Sequence, residues 1–229
     1  MIHAYGSPGP PAPRLLAALE RRGHEVPRAA GTGPHRDSTL VLAGGSALEP
    51  MALGVLLGAW RAASGARVLV LSRLGAHPDA RARALRDLWA LEEFARGAGL
   101  PVLTLRLGPL VGAASPFWLR LARRPWIPRA GRLVVNPVAE DDVVDALDAA
   151  LRGRVAWSGT WEVAGPEAHT LAELVEIAAS SGVDFAHGRG AWEPALDELI
   201  EHRLAEGARW YEAFGLTARP IAGRAREWA

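Results

Sequence analysis

A chain of 229 residues, 49% apolar and 22% charged, can bury one sizeable core and has no compositional mark of disorder. Its formal net charge of +1 gives no electrostatic reason to expect nucleic acid or an anionic membrane as partner. There is no cysteine, and all 26 Lys+Arg residues are Arg. Disulfides, thiolate chemistry, Cys-based metal sites, Schiff bases and lysine acid catalysis are therefore all excluded.

In chain order, Ile2 to Tyr5 reads as a short strand and Gly6 to Pro13 as a turn rich in Gly and Pro. A helix is predicted over Arg14 to Arg22, with Leu15, Leu16 and Leu19 at helical spacing and Gly23 as its stop. Glu25-Val26 could begin a second strand, but Pro27 cuts it short and Ala29 to Arg36 is loop-like. Asp37 to Ala43 then reads as a buried strand, followed by a helix over roughly Ala47 to Ser64 that is apolar on nearly all sides.

The next pairs are a strand at Arg67 to Ser72 with a helix over Asp79 to Gly97, and a strand at Pro101 to Arg106. A helix around Phe117 to Arg123 and a strand near Arg132 to Val135 follow. After them come a helix from Glu140 to Leu151, a strand at Thr160 to Val163, and helices at Leu171 to Ser180 and Pro194 to Trp210. Continuous Val/Leu strands alternating with helices predict an α/β fold whose parallel sheet is covered on both faces. No linker divides the chain, so a single domain over 1–229 is expected, with a core of about 1–135 and a C-terminal lobe of about 136–229 packed on it. The N-terminus lacks signal-peptide character and Met51 to Trp60 is too short to span a membrane, so a cytoplasmic protein is the default.

Several segments, in this order, resemble the atypical and extended short-chain dehydrogenase/reductase superfamily, in particular its NAD-dependent epimerase/dehydratase-like and complex I accessory-subunit-like branches. Gly6-x-x-Gly9-x-x-Ala12 followed by Leu15-Leu16 and by Arg22-Gly23-His24-Glu25-Val26 is similar to the family's glycine turn and helix-to-strand passage. Leu40 to Gly44 resembles its fourth strand, and Ser72-Arg73-Leu74-Gly75-Ala76 the end of its fifth. Glu92-Glu93, then Gly99 to Val102 and Leu105 to Gly112, match the passage into the sixth strand. Further likenesses are Asn136-Pro137-Val138 with Asp141-Asp142-Val143, Glu162 to Thr170, and the tail Phe214-Gly215-Leu216 with Arg219-Pro220.

The resemblance implies a Rossmann-type doubly wound parallel sheet with a small C-terminal helical lobe on the substrate side. It implies NAD or NADP as cofactor, with Gly6, Ser7, Gly9, Ala12, Arg28, Ala43, Gly44, Leu107, Gly108 and Pro109 as the binding residues. Small residues there would let the backbone approach a pyrophosphate at a helix N-terminus. Pro8, Pro10, Pro11 and Pro13 depart from the pattern, because each removes an N–H donor.

Two features of the family are missing. Its Tyr-x-x-x-Lys pair falls on Ala84 and Leu88, neither of which can exchange a proton. The only tyrosines are Tyr5 and Tyr211. Only ten residues, Pro27 to Arg36, separate Val26 from Asp37, so the usual third strand is expected to be absent. Arg28 or Arg36 could meet a 2′-phosphate, although surface arginine is the plainer reading.

Ser72 is a weak catalytic candidate, since a serine at a strand end is more often a capping hydroxyl. Glu140, Asp141, Asp142 and Asp145 suit a helix N-terminus better than a metal site, and the seven histidines show no zinc spacing. Of nine tryptophans, Trp118, Trp126 and Trp192 could line a cavity or a partner surface, with core the plainer reading of each. Three functions stay open: an inactive NAD(P)-binding sensor or accessory protein, an epimerase or reductase with another proton donor, and a cofactor-free interaction module. A homo-oligomer or a protein partner is compatible with all three.

Overall fold

The computed structural model describes residues 1–5, 11–26, 37–44, 49–63, 66–123, 130–182, 204–206 and 209–228. Strands and helices alternate through β1 (Ile2–Tyr5), α1 (Ala12–Arg21), β2 (Thr39–Ala43), α2 (Pro50–Arg61), β3 (Arg67–Arg73), α3 (Arg83–Arg96) and β4 (Val102–Leu107). Then come β5 (Leu110–Val111), α4 (Pro116–Ala122), β6 (Val134–Val135), β7 (Val138–Ala139), α5 (Glu140–Leu151), β8 (Gly159–Val163), β9 (His169–Thr170) and α6 (Leu171–Ser180). Two short helices, α7 (Arg209–Ala213) and α8 (Ile221–Ala225), end the described chain. The helix expected over 194–210 lies mostly outside the described residues.

The five-stranded sheet has the order β1-β2-β3-β4-β8, with parallel ladders between β1 and β2 and between β2 and β3. This is the Rossmann-type α/β architecture the sequence implies. Strand alternation explains why the middles of β2 and β3, Leu40 to Leu42 and Val68 to Leu71, are apolar without a break. Leu40, Leu42, Val68 and Val70 face Leu53, Leu57 and Trp60 of α2 and Leu91 and Ala95 of α3. The alternate residues Val41, Leu69 and Leu71 point to the other side and are buried as well.

Among the described residues, neither of the two strands that usually lie beyond the first is present. In the usual dinucleotide-binding order, two further strands lie beyond the first, but among the described residues β1 stands at the sheet's edge. Glu25-Val26 forms no strand, and among the described residues its bond to β1 is the Ile2 N–H donating to the Glu25 carbonyl at 2.8 Å. Pro27 follows at once and has no N–H to offer a ladder.

The chain divides into two compact units, Met1–Arg106 with Ala146–Trp161, and Leu107–Asp145 with Glu162–Ala229. In the first, the Trp157 indole N–H donates to the Val68 carbonyl at 2.9 Å, and the Arg67 guanidinium lies 4.0 Å from the Trp157 ring centroid. Arg67 also donates to the Thr39 hydroxyl and the Leu151 carbonyl, so one side chain fastens β2, β3 and the end of α5. His24 and Asp148, 2.7 Å apart, join the end of α1 to α5.

In the second unit, Phe117, Trp118 and Leu121 of α4 pack with Leu171, Leu174 and Val175 of α6 and with Ile221 and Ala225 of α8. Short ladders pair β5 with β7 and β6 with β9. Thr170 caps α6 in a reciprocal box with Glu173, each side chain bonded to the other's backbone N–H. Ser115 starts α4, its hydroxyl accepting from the Trp118 N–H and donating to the Leu110 carbonyl at 2.7 Å.

Candidate functional site

The first group of candidate binding residues belongs to the passage from β1 into α1. Gly6, Ser7 and Gly9, and Arg28 after it, lie outside the described residues, as do Arg36, Trp126 and Trp192. Ala12, which opens α1, is buried. Pro11 and Pro13 carry no N–H, and the N–H groups of Arg14 and Leu15 both bond to the Pro11 carbonyl, at 3.1 and 3.2 Å. Over residues 11–15 the helix start thus holds few donors for an anion, and no acidic or capping side chain stands in its first turn.

Ala43 ends β2, next to the end of β1 through the Tyr5–Leu42 register. Gly44 follows in the left-handed region at φ +88°, a conformation that by itself calls for glycine. Tyr5 packs on the core cluster formed with α2 and α3.

Leu107, Gly108 and Pro109 belong to the second unit and have packing roles of their own. The Gly108 N–H donates to the Val163 carbonyl at 2.8 Å, and the Pro109 carbonyl accepts from Val138 N–H at 2.9 Å. A Cβ on Gly108 would collide with the Asn136 carbonyl oxygen. The glycine is thus required by the crossing of two backbones, whether or not a ligand approaches it.

Ser72, the weak catalytic candidate, ends up inside a buried polar knot. Its hydroxyl donates to Glu92, whose carboxylate is wholly buried on α3 and is gripped by Arg106 through Nε at 3.0 Å and Nη2 at 2.6 Å. A serine whose proton is committed to a buried carboxylate is a structural hydroxyl rather than a nucleophile. Ser72→Ala should lower stability by about 1–2 kcal/mol in urea unfolding, because one bond to a buried charge is lost while Arg106 keeps it paired. Any nucleotide-induced shift in melting temperature should be unaffected.

The positions aligned with the family's Tyr-x-x-x-Lys lie one turn apart on α3. Leu88 is 5% exposed and packs with Ala76, Ala80 and Leu85, with Trp89 beside them. The chain after β3 folds back to form this cluster, and Arg86 Nη1 holds it by donating to the Ala80 carbonyl at 2.6 Å. The same turn delays α3 to Arg83, four residues later than predicted. Where the family carries an ammonium group, this chain has a small apolar core.

The polar cluster in the second unit has no signal in the sequence. Glu140, Asp141 and Asp142 do occupy the first turn of α5, which suits the helix dipole. Asp142, however, is buried and has two partners from the tail: the Tyr211 phenol donates to its Oδ2 at 2.8 Å, and Arg224 Nη1 donates to its Oδ1. Arg224 Nη2 also lies 3.5 Å from Asp141. Burial and the Asp142 charge push the Tyr211 pKa well above the usual phenol value. A phenol that loses its proton beside a buried carboxylate is a poor proton donor, so Tyr211 does not replace the family's tyrosine. Trp118, a cavity candidate, is a core residue with its ring edge-on to Trp228, centroids 5.4 Å apart.

No sequence-family model matches the chain, and no curated protein matches it. Solved structures do. The UDP-N-acetylglucosamine 4-epimerase from Bacillus cereus aligns over 99% of this chain and 97% of its own, with a TM-score of 0.68 at 13% identity. The chain has the fold of the nucleotide-sugar epimerases. This epimerase fold is shared by MoeE5 in complex with UDP-glucuronic acid and NAD, with a TM-score of 0.68, 20% identity and coverage of 99% and 98%. It is shared too by the Bordetella bronchiseptica enzyme WbmG in complex with NAD and UDP, with a TM-score of 0.66, 16% identity and coverage of 99% and 94%. Within the epimerase fold, the described residues of this chain include no group of three His, Asp or Glu side chains arranged to hold a metal and no helix long and apolar enough to cross a membrane.

Proposed function

We propose that the chain is a nucleotide-binding-fold protein of the atypical short-chain dehydrogenase type that has given up reductase chemistry and acts as a sensor or accessory protein. The apolar cluster around Leu88 carries this reading. Proton transfer in relatives needs a phenol made acidic by a neighbouring ammonium group, and Ala84 and Leu88 offer neither. Of the two tyrosines, Tyr211 is bound to Asp142 and Tyr5 packs on the core. Ser72 is committed to Glu92.

The proposed ligand is NAD or NADP, with the β1–α1 passage and the end of β2 as its proposed binding residues in the first unit. Its support is the epimerase fold shared with proteins solved in complex with NAD. A second reading, an interaction module without cofactor, is favoured by the start of α1, where Pro11 and Pro13 remove donors and the Pro11 carbonyl takes up two more.

A thermal-shift titration with NAD, NADH, NADP and NADPH separates the two, since a ligand bound only by the folded state raises the melting temperature progressively with its concentration. A saturable shift with one nucleotide, and no consumption of reduced cofactor with UDP-sugars present, is the expected result. A flat response to all four at millimolar concentration would select the interaction module. Steady turnover would refute the loss of chemistry.

A further inference from the structure

Building on the nucleotide ligand proposed for the first unit, we infer that this unit holds its ligand by the nucleoside and leaves the diphosphate in solvent. A phosphate-free nucleoside is then as good a ligand as the dinucleotide. A helix can hold a phosphate because its first four N–H groups have no partner inside the helix. In α1 the four positions are Pro11, Ala12, Pro13 and Arg14. Two of the four groups do not exist, because proline has no N–H. The third, that of Arg14, donates to the Pro11 carbonyl at 3.1 Å. Ala12 alone remains, and that residue is 4% exposed. Pro8 and Pro10, just before the helix, carry no N–H either.

The shortage decides which part of a dinucleotide the unit can grip. A diphosphate is charged and strongly hydrated, and drawing it out of water is favourable only where several donors replace the lost hydration at once. One buried donor does not. The residues of this unit therefore fit the diphosphate of NAD poorly, whatever its two ends do.

At the same end of the sheet the unit keeps a neutral binding surface. Ala43 closes β2, next to the end of β1 through the Tyr5–Leu42 register, and Gly44 follows at φ +88°. Ligands of open α/β sheets lie outside the carboxyl ends of the strands. Two residues this small leave the last backbone groups of β2 within reach there. Backbone N–H and C=O groups bond a base or a sugar hydroxyl without needing a charge on the ligand. The ligand class is thus a ribonucleoside, with adenine or nicotinamide as its base.

Thermal-shift titrations of the full chain with NAD, adenosine, nicotinamide riboside and inorganic pyrophosphate test this. One of the two nucleosides should bind within about threefold of NAD, and pyrophosphate should leave the transition where it is. A roughly tenfold rise in salt should change the NAD affinity by less than about twofold, because no cation holds the phosphates. Pro11→Ala combined with Pro13→Ala returns two N–H groups to the helix start. That variant should bind NAD about tenfold tighter and the nucleoside no better. NAD binding more than about tenfold tighter than both nucleosides, or lost steeply with salt, overturns the inference while sparing the nucleotide ligand. A pyrophosphate-induced shift does the same, as does a double variant, folded by circular dichroism, that gains nothing for NAD. A parent chain that responds to none of the four compounds overturns both.

Discussion

Arg224→Ala should destabilise the protein by about 3–5 kcal/mol, because it leaves the buried Asp142 carboxylate without its cation. The Arg224 side chain is itself 6% exposed, so neither charge has water to fall back on. Arg224 Nε finds no partner among the described residues, so the pair already carries an incomplete desolvation cost. Replacing Arg224 by Met and Asp142 by Leu together should therefore recover most of the loss. Urea unfolding of the parent and the two variants measures this, and a cost under about 1 kcal/mol for Arg224→Ala would show the pair to be dispensable.

Tyr211 adds a pH signature to the same cluster. Its pKa is raised in the folded state, so the folded protein holds the phenolic proton more tightly than the unfolded chain does. The stability this contributes is complete below the unfolded value of about 10 and drains away as pH climbs beyond it. Tyr211→Phe should cost about 1.5–3 kcal/mol at pH 8, the worth of a hydrogen bond to a charged group. The gap between parent and variant should narrow above pH 10. A gap that stays constant with pH would mean that the phenol titrates normally.

Much of the architecture was legible because local pattern and burial agreed. The strands β2 to β4 fell where Val/Leu runs predicted them, and the helices expected over Glu140 to Leu151 and Leu171 to Ser180 are α5 and α6 to the residue. The errors came where a local signal was outweighed by contacts distant in sequence. Asp79 looked like a helix start, but Ala76 and Ala80 fold under Leu85 and Leu88 first. Glu25-Val26 looked like the start of a strand, yet it is not one, and the Glu25 carbonyl accepts from the Ile2 N–H of β1. Of the two-residue strands, β6 lies within the strand expected near Arg132 to Val135, while β5, β7 and β9 have no periodicity to detect.

For the site, the sequence identified the missing Tyr and Lys but could not reveal what replaced them. A leucine at position 88 reads the same whether it lines a cleft or closes a core. Likewise Asp142 looked like one acid among several in a first turn. Its partners lie 69 and 82 residues away, a separation at which no sequence pattern reports. The sole hint was that Tyr211 is one of only two tyrosines.

Gly165→Ala is expected to be the most damaging single-methyl change among the described glycines. A Cβ at this position would fall onto the carbonyl oxygen of Pro137, with the Pro137 carbonyl carbon 3.1 Å away. The obstacle is backbone, so no rotamer change relieves it. Pro137 cannot easily retreat either, because Asn136 beside it donates through Nδ2 to the Gly165 carbonyl at 3.4 Å and accepts from the Ala205 N–H at 3.3 Å. Overpacking of well-packed cores costs about 1–3 kcal/mol when side chains can adjust. With backbone opposing backbone, the cost should exceed that range and approach the whole stability of a domain, about 5–15 kcal/mol. Gly153→Ala is the control: it also removes a glycine, at φ +75°, but with no atom within 4 Å of its Cβ position. It should cost only about 1–2 kcal/mol, the ordinary penalty of a left-handed backbone for an L-residue. If the two variants unfold at similar urea concentrations, the close approach of Gly165 to Pro137 is not what fixes this glycine. A large gap between them would place the requirement in the crossing of the two backbones, independent of any nucleotide.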